Sequence, residues 1–306
     1  MARKKLRHYS GIGGQAVIEG VMMRHRDSYA VAVRKPDGSI CVDVEEYRAV
    51  GRGSLLLRIP FVRGFFIFVN SLILGLKSLN FSADVYEGEG EGNPVADRIA
   101  SIVTTVVAIA LAIGIFVFLP YFLTDYFGAS IRNMSLRAIV EGCIRIAVFV
   151  LYILLISMMG DIRRLFRYHG AEHKCINCIE TGHPLTVEHV KKASRLHRRC
   201  GSSFILFVML VSIVVFFFIR TDVLWQRLAL RILLIPVISG ISYELIALAG
   251  RTENIFVRIL SAPGLLLQRL TTREPDDSMI EVAIRSVEAV FDWRSYLADS
   301  FGIEVQ

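Results

Sequence analysis

Long apolar runs alternate with charged segments along this chain. Ile99–Leu123, Ile139–Gly160, Ser203–Ile219 and Leu228–Ala249 are each long enough to cross about 30 Å of hydrocarbon as helices rising about 1.5 Å per residue. A fifth run, Ile59–Leu76, carries Arg63 and Asn70 inside it. A fifth span would place the basic start Arg3-Lys4-Lys5 outside the cell, so this run reads as interfacial or re-entrant. Before it the period changes. Gln15–Arg24 and Tyr29–Arg34 are rich in valine, and Ile40, Val42 and Val44 alternate with Cys41, Asp43 and Glu45, which predicts strands. Lys35-Pro36-Asp37-Gly38 makes a turn, with proline preset and glycine free to take positive φ.

The predicted fold is an α-helical integral membrane protein with about four transmembrane helices, interfacial or re-entrant helices and a small N-terminal cytosolic antiparallel β unit of three strands. The units run 1–54 (β unit), 55–82 (interfacial or re-entrant helix), 83–98 (acidic linker around Tyr86–Gly92), 99–160 (two spans), 161–202 (basic loop), 203–250 (two spans) and 251–306. In the last unit Glu253–Leu270 reads as a surface helix interrupted at Pro263-Gly264, and an acidic cap precedes an amphipathic helix over Met279–Trp293. No solenoid or inverted repeat stands out.

Orientation follows from the loop cations. Residues Asp161–Ser202 hold nine lysines and arginines, whereas Thr221–Arg227 holds Arg227 alone, so the large loop and both termini are predicted to be cytoplasmic. Composition agrees with a membrane chain: 54% of residues are hydrophobic and mean hydropathy is +0.51. The formal charge of +7 comes largely from the loop, and contact with anionic headgroups accounts for it without nucleic acid. The start has no apolar core after its basic residues, unlike a cleaved signal. The five cysteines fall in cytosolic or membrane regions, where thiols stay reduced. Gly11-Ile12-Gly13-Gly14 lacks a P-loop lysine and reads as the entry to a strand.

Charges inside apolar runs are costly. Glu141 and Arg145, four apart, neutralise each other, Arg231 snorkels from its helix end, and Glu244 lies inside the last run with Arg251 the nearest cation in register.

The sharpest chemical signal is His169-Gly170-Ala171-Glu172-His173. On a helix His169 and His173 share a face one turn apart, where two imidazoles grip a divalent metal, zinc above all, and Glu172 handles a proton as the catalytic base. The order is that of inverted zincins, which need a third ligand. Glu180, His197 and Glu244 are candidates, and depth along the chain favours His197. A competing reading is a closed structural zinc site from Cys175-x-x-Cys178 and His197-x-x-Cys200, eighteen residues apart. On one continuous helix Cys175 and Cys178 project roughly opposite His169 and His173, so the two sites coexist only if the helix ends near Lys174. The bland alternative is polar helix-surface residues with no metal.

Four strings in order resemble the YqhQ family of bacterial membrane proteins: Gly13–Arg24, Tyr168–Lys174, Arg195–His197 with Arg199-Cys200-Gly201, and Leu267–Asp277. The family is sometimes described as predicted metal-dependent enzymes, so the resemblance implies a metal at the His-x-x-Glu-His string. It also draws in Gln15, Glu19 and Arg24. Cysteines at 175 and 178 and arginine at 198 depart from the pattern.

Three functions follow as expectations. The first is a zinc-dependent hydrolase at the cytoplasmic face of a bacterial cell membrane, acting on a lipid-linked or peptide substrate and in contact with membrane lipid. The second is a scaffold for membrane-protein insertion or secretion, with partners such as a translocon. The third is a small transporter, suggested by Glu244.

Overall fold

The computed structural model describes residues 8–51, 53–54, 58–88, 94–128, 131, 133–219, 223–251 and 255–304. The basic start, residues 89–93 of the acidic linker and Glu253 lie outside the described residues.

The N-terminal unit is a four-stranded antiparallel meander, not three-stranded: β1 Ile12–Val17, β2 Gly20–His25, β3 Ser28–Arg34 and β4 Ile40–Glu46, in sequence order. The predicted strand over Gln15–Arg24 folds back at Ile18-Glu19, where Val17 pairs with Gly20. Nothing in the local residues signals this turn, because Glu19 itself takes a positive φ of 50°. The turn is held from outside: Arg164 grips the Glu19 carboxylate through Nε and, at 2.6 Å, Nη2, while Ser82 Oγ accepts the Ile18 N–H.

Helix α1 covers Val62–Glu87, and α2 covers Pro94–Ile113, continuing through a π-helical turn at Gly114–Phe118 into α3, Leu119–Phe127. Then come α4 Met134–Ile156, α5 Gly160–Glu180, α6 Val187–Lys192, α7 Gly201–Phe218, α8 Leu224–Leu233, α9 Ile235–Arg251, α10 Ile255–Thr271, α11 Asp277–Val290 and α12 Trp293–Phe301. Among the described residues four helices are long and apolar enough to cross a membrane: Val62–Glu87, Ile102–Phe127, Met134–Ile156 and Gly201–Phe218. Four such helices are the pattern of a multi-pass membrane protein.

This set differs from the expected one at both ends. The run Leu228–Ala249 is broken between α8 and α9 beside Pro236, which has no N–H to continue the ladder. Ile59–Leu76 instead lies largely within the long helix α1. Leu74, Gly75, Ser78 and Ser82 of α1 are buried, with Leu74 in the cluster under β2 and β3 and Gly75 against Gln15. Asn70 meanwhile clamps the N–H and C=O of Val50. Val50, ahead of α1 in sequence, therefore lies beside the middle of that helix.

The expected basic loop 161–202 is not a loop. Its first half is α5, buried from Tyr168 to Glu180 except at His169. Val21, Met23 and Ala32 on one face of the sheet join Tyr168, Ala171, Ile176, Ile179 and the α11 residues Met279, Ile280 and Val287 in the largest apolar core. Val17, Met22, Tyr29, Val31 and Val33 face the other way onto α1. The acidic cap forms as expected, with Asp276 Oδ1 accepting the Met279 N–H at 2.9 Å.

Glu244 has a partner that sequence spacing did not show. Arg63 Nε and Nη2 reach its carboxylate at 2.7 and 2.6 Å, and α1 approaches α9 closely enough that a Cβ on Gly240 would sit 2.1 Å from the Phe61 carbonyl oxygen. Arg231 likewise does not snorkel; it pairs with Glu141. Replacing Glu244 by Ala leaves the partly exposed Arg63 cation without this partner, and a loss of about 1 kcal/mol in thermal unfolding of detergent-solubilised protein is expected. The double replacement R63M/E244A is expected to recover part of it.

Candidate metal centre

The site is built by three segments converging on one face of α5. First, residue 170 must be glycine: a Cβ there would lie 2.0 Å from the Arg273 carbonyl oxygen. That closeness lets the Arg273 N–H donate to the Phe166 carbonyl at 2.8 Å and brings the end of α10 beside His169. Second, Gly14 of β1 packs on Glu172, whose Cγ would be 2.9 Å from an added Cβ. Third, the turn before α7 is pinned through its backbone. Gln268 donates to the His197 carbonyl at 2.7 Å and accepts the His197 N–H at 2.8 Å, while Asn177 donates to the Ser194 and Leu196 carbonyls. This delivers Cys200, the N-cap of α7, to the histidines.

The donor atoms of His169, His173 and Cys200 all lie within 4.8 Å of one another. His169 Nδ1 donates to the Thr271 carbonyl at 2.8 Å and His173 Nδ1 to the Arg195 carbonyl at 2.7 Å. With each Nδ1 so engaged, each Nε2 is the free ligand atom, the arrangement in which outer partners fix a metal-binding imidazole. His169 Nε2 is 3.2 Å from Cys200 Sγ and 3.9 Å from Glu172 Oε2. Cys200 is buried, yet the neighbouring His169 and His173 outweigh that burial and hold its thiol well below the usual range. Burial works against a charged His169, but the facing Cys200 and Glu172 carry it up to about 9. Burial also pushes Glu172 up. The donor set suits zinc: two imidazoles and a thiolate are three protein ligands, the number that leaves one coordination position open.

The structure places the other candidates elsewhere. His197 turns its Nε2 toward Glu180 at 3.7 Å and Arg199 at 3.3 Å, with its ring centroid 5.6 Å from that of His173. Burial lowers it to about 4. Glu180 is bound by Arg199 and by the N–H and hydroxyl of Ser10. Glu244 is engaged by Arg63. The closed cysteine site fails because α5 continues to Glu180, which turns Cys175 and Cys178 into the apolar core. Burial pushes both thiols up, Cys178 to about 12, so neither supplies a thiolate. Sequence reasoning weighed Cys200 only inside that closed site or as a secondary donor. It missed Thr271 and Gln268, although both lie in the string Leu267–Asp277 that carried the family resemblance.

Residues 59–293 match the family described as "Protein of unknown function (DUF1385)". The chain belongs to that family. It is 37% identical over 286 residues, 90% of each chain, to "Uncharacterized protein YqhQ" of Bacillus subtilis (strain 168). No solved structure matches it. The DUF1385 match contains His169, Glu172, His173 and Cys200 but begins after the sheet whose Gly14 packs on Glu172. DUF1385 membership brings no activity with it, so the case for a metal rests on the donor geometry.

Two outcomes test this architecture. Gly170→Ala must push the Arg273 backbone away from α5, and we expect a loss of at least about 3 kcal/mol in stability, read by denaturant unfolding, with a lowered metal content. Glu180 is also sensitive to pH: burial favours its neutral form, but His197 and Arg199 hold it down to about 2. A depressed carboxylate stabilises the fold above its unfolded value of about 4.3, and that contribution disappears as pH falls toward 2, about 3 kcal/mol in all. Unfolding of Glu180→Gln and wild type is expected to differ at pH 7 and to converge near pH 2.

Proposed function

We propose that this chain is a metal-dependent hydrolase of the bacterial cell membrane whose site lies at the cytoplasmic face. The observation that carries the reading is the pair of imidazoles with Nδ1 engaged by backbone carbonyls, aimed with Cys200 at one point beside a buried carboxylate. Zinc held there supplies Lewis acidity toward a carbonyl or phosphoryl oxygen. The chain supplies the rest. Glu172, raised by burial toward neutrality, takes a proton at its carboxylate and returns it to a leaving group. Gly14 and the Thr271 carbonyl hold Glu172 and His169 in place.

We read the basic segment between α4 and α7 as cytoplasmic; both termini share that side when α1 re-enters from it and α8 with α9 together return the chain across the membrane. Cys200 then caps a span at headgroup depth, which suits a lipid-linked or peptide substrate entering from the membrane. The transporter reading loses its motive, because Glu244 is neutralised by Arg63. An accessory role beside a translocon is the remaining competitor.

The test is incubation of detergent-solubilised protein with membrane lipid extract and with a peptide mixture, with and without a chelator, followed by mass spectrometry. Chelator-sensitive products absent from the Glu172→Gln variant are expected. Metal-loaded protein that converts neither mixture would count against the hydrolase.

A further inference from the structure

A second charged cluster lies within the long helices, away from α5. Helix α4 begins at Met134 and ends at Ile156. The apolar run on this helix begins at Ile139, so at about 1.5 Å per residue Glu141 sits about 3 Å and Arg145 about 9 Å inside it. Arg231, from the short helix α8, joins them, and all three side chains are nearly buried.

The charges do not balance. Glu141 Oε1 accepts from Arg145 Nη2 at 2.9 Å and from Arg231 Nη2 at 2.5 Å, and Oε2 accepts from Arg231 Nη2 at 2.7 Å. Among the described residues Glu141 is the one carboxylate paired with either arginine. Two guanidinium groups and one carboxylate leave a net positive charge. Arg145 finds further acceptors, Ser212 Oγ at 3.4 Å and the Phe116 carbonyl at 3.1 Å. Phe116 belongs to the π-helical turn, where widened pairing leaves a carbonyl open to such a donor. Arg231 fares differently: its Nε and Nη1 are shut off from solvent with no hydrogen-bond partner. The rings of Tyr121 and Phe216, 6.0 and 5.6 Å from its guanidinium carbon, ease the charge without accepting those hydrogens as an oxygen would.

If the cluster only fastened helices together, Arg145 alone, one turn from Glu141, would neutralise it. The second arginine adds an excess cation and two unsatisfied donors in a buried setting where both are expensive. A singly charged oxyanion removes both costs at once. We infer that Arg231, with Arg145 and Glu141, forms a binding site for a phosphate group, whose several oxygens suit guanidinium donors. That phosphate comes from an anionic lipid headgroup or from free phosphate, and the site is separate from the histidine–cysteine centre.

The test uses the full chain in a nonionic detergent, with the unfolding midpoint read after adding phosphatidylglycerol, phosphatidylcholine, inorganic phosphate, or chloride at matched ionic strength. Wild type is expected to gain roughly 5 °C at saturation from phosphatidylglycerol, from phosphate, or from both, and nothing from phosphatidylcholine or chloride. A response to phosphatidylglycerol alone assigns the headgroup; a response to phosphate alone assigns the soluble ion. Arg231→Gln removes the excess charge, leaves the Glu141–Arg145 pair neutral, and is expected to abolish the shift. A wild type indifferent to both phosphates, or an Arg231→Gln protein that responds as wild type does, overturns the site. Should Arg231→Gln not fold, Arg231→Lys replaces it, because lysine keeps the charge and gives up both unpartnered donors. A reduced shift then supports the site, and an undiminished one overturns it.

Discussion

Replacing Cys200 by Ser, or His173 by Ala, is expected to strip the purified chain of bound metal. Wild type should carry about one zinc per chain, measured by elemental analysis after extensive dialysis. Each replacement removes one of three donors that lie within 4.8 Å of one another. Disturbing even a group that orients a ligand costs roughly 10–100-fold in affinity, so losing a ligand itself should cost at least about 100-fold. Cys200 gives the cleaner experiment of the two. Serine keeps the size of the side chain and its place as N-cap of α7, so the fold should survive, whereas a serine hydroxyl stays protonated and is a poor ligand for zinc. His197→Ala is the internal control. Its Nε2 faces Glu180 and Arg199, so metal content should hold while stability falls. Metal retained in Cys200→Ser and lost in His197→Ala would reverse the ligand assignment and restore the third donor that depth along the chain had favoured.

That reversal marks the limit of what the sequence disclosed. His169 and His173 are candidate ligands by helical spacing, and any reader of the string reaches them. Choosing between His197 and Cys200 depends on how the turn 193–200 is oriented, and the orientation is imposed by Gln268 and Asn177, which are 71 and 17–19 residues distant from their partners. No local pattern records such contacts. The same holds for Glu19, whose turn is enforced by Arg164, and for Glu244, whose counter-charge Arg63 stands 181 residues away. The long apolar helices α2–α3, α4 and α7 were legible because bilayer length and hydropathy act residue by residue. The last run is two helices and not one; hydropathy alone does not register the break beside Pro236. Charge misled at α5: its arginines suggested a solvated loop, yet they precede the buried half, and Gly170, Ala171 and Cys175 are small enough to admit close neighbours.

Glu172→Gln is expected to separate metal binding from chemistry. The amide matches the carboxylate in shape, so packing against Gly14 and the site's three donors should persist, and bound zinc should stay near one per chain. Proton transfer is lost, and general acid–base catalysis contributes about 10²–10⁴-fold, so cells whose native copy is replaced by this variant should resemble a deletion strain. The comparison with Cys200→Ser is decisive because the two fail differently, one with its metal and one without. If the hydrolase reading holds, both variants lose function. If the chain acts instead as a scaffold stapled by its metal, Glu172→Gln keeps full cellular function and Cys200→Ser alone fails, because docking requires the fold and not a proton donor. A Glu172→Gln strain that grows as wild type, with zinc retained, would move the protein out of the enzymes and beside the accessory factors of the membrane.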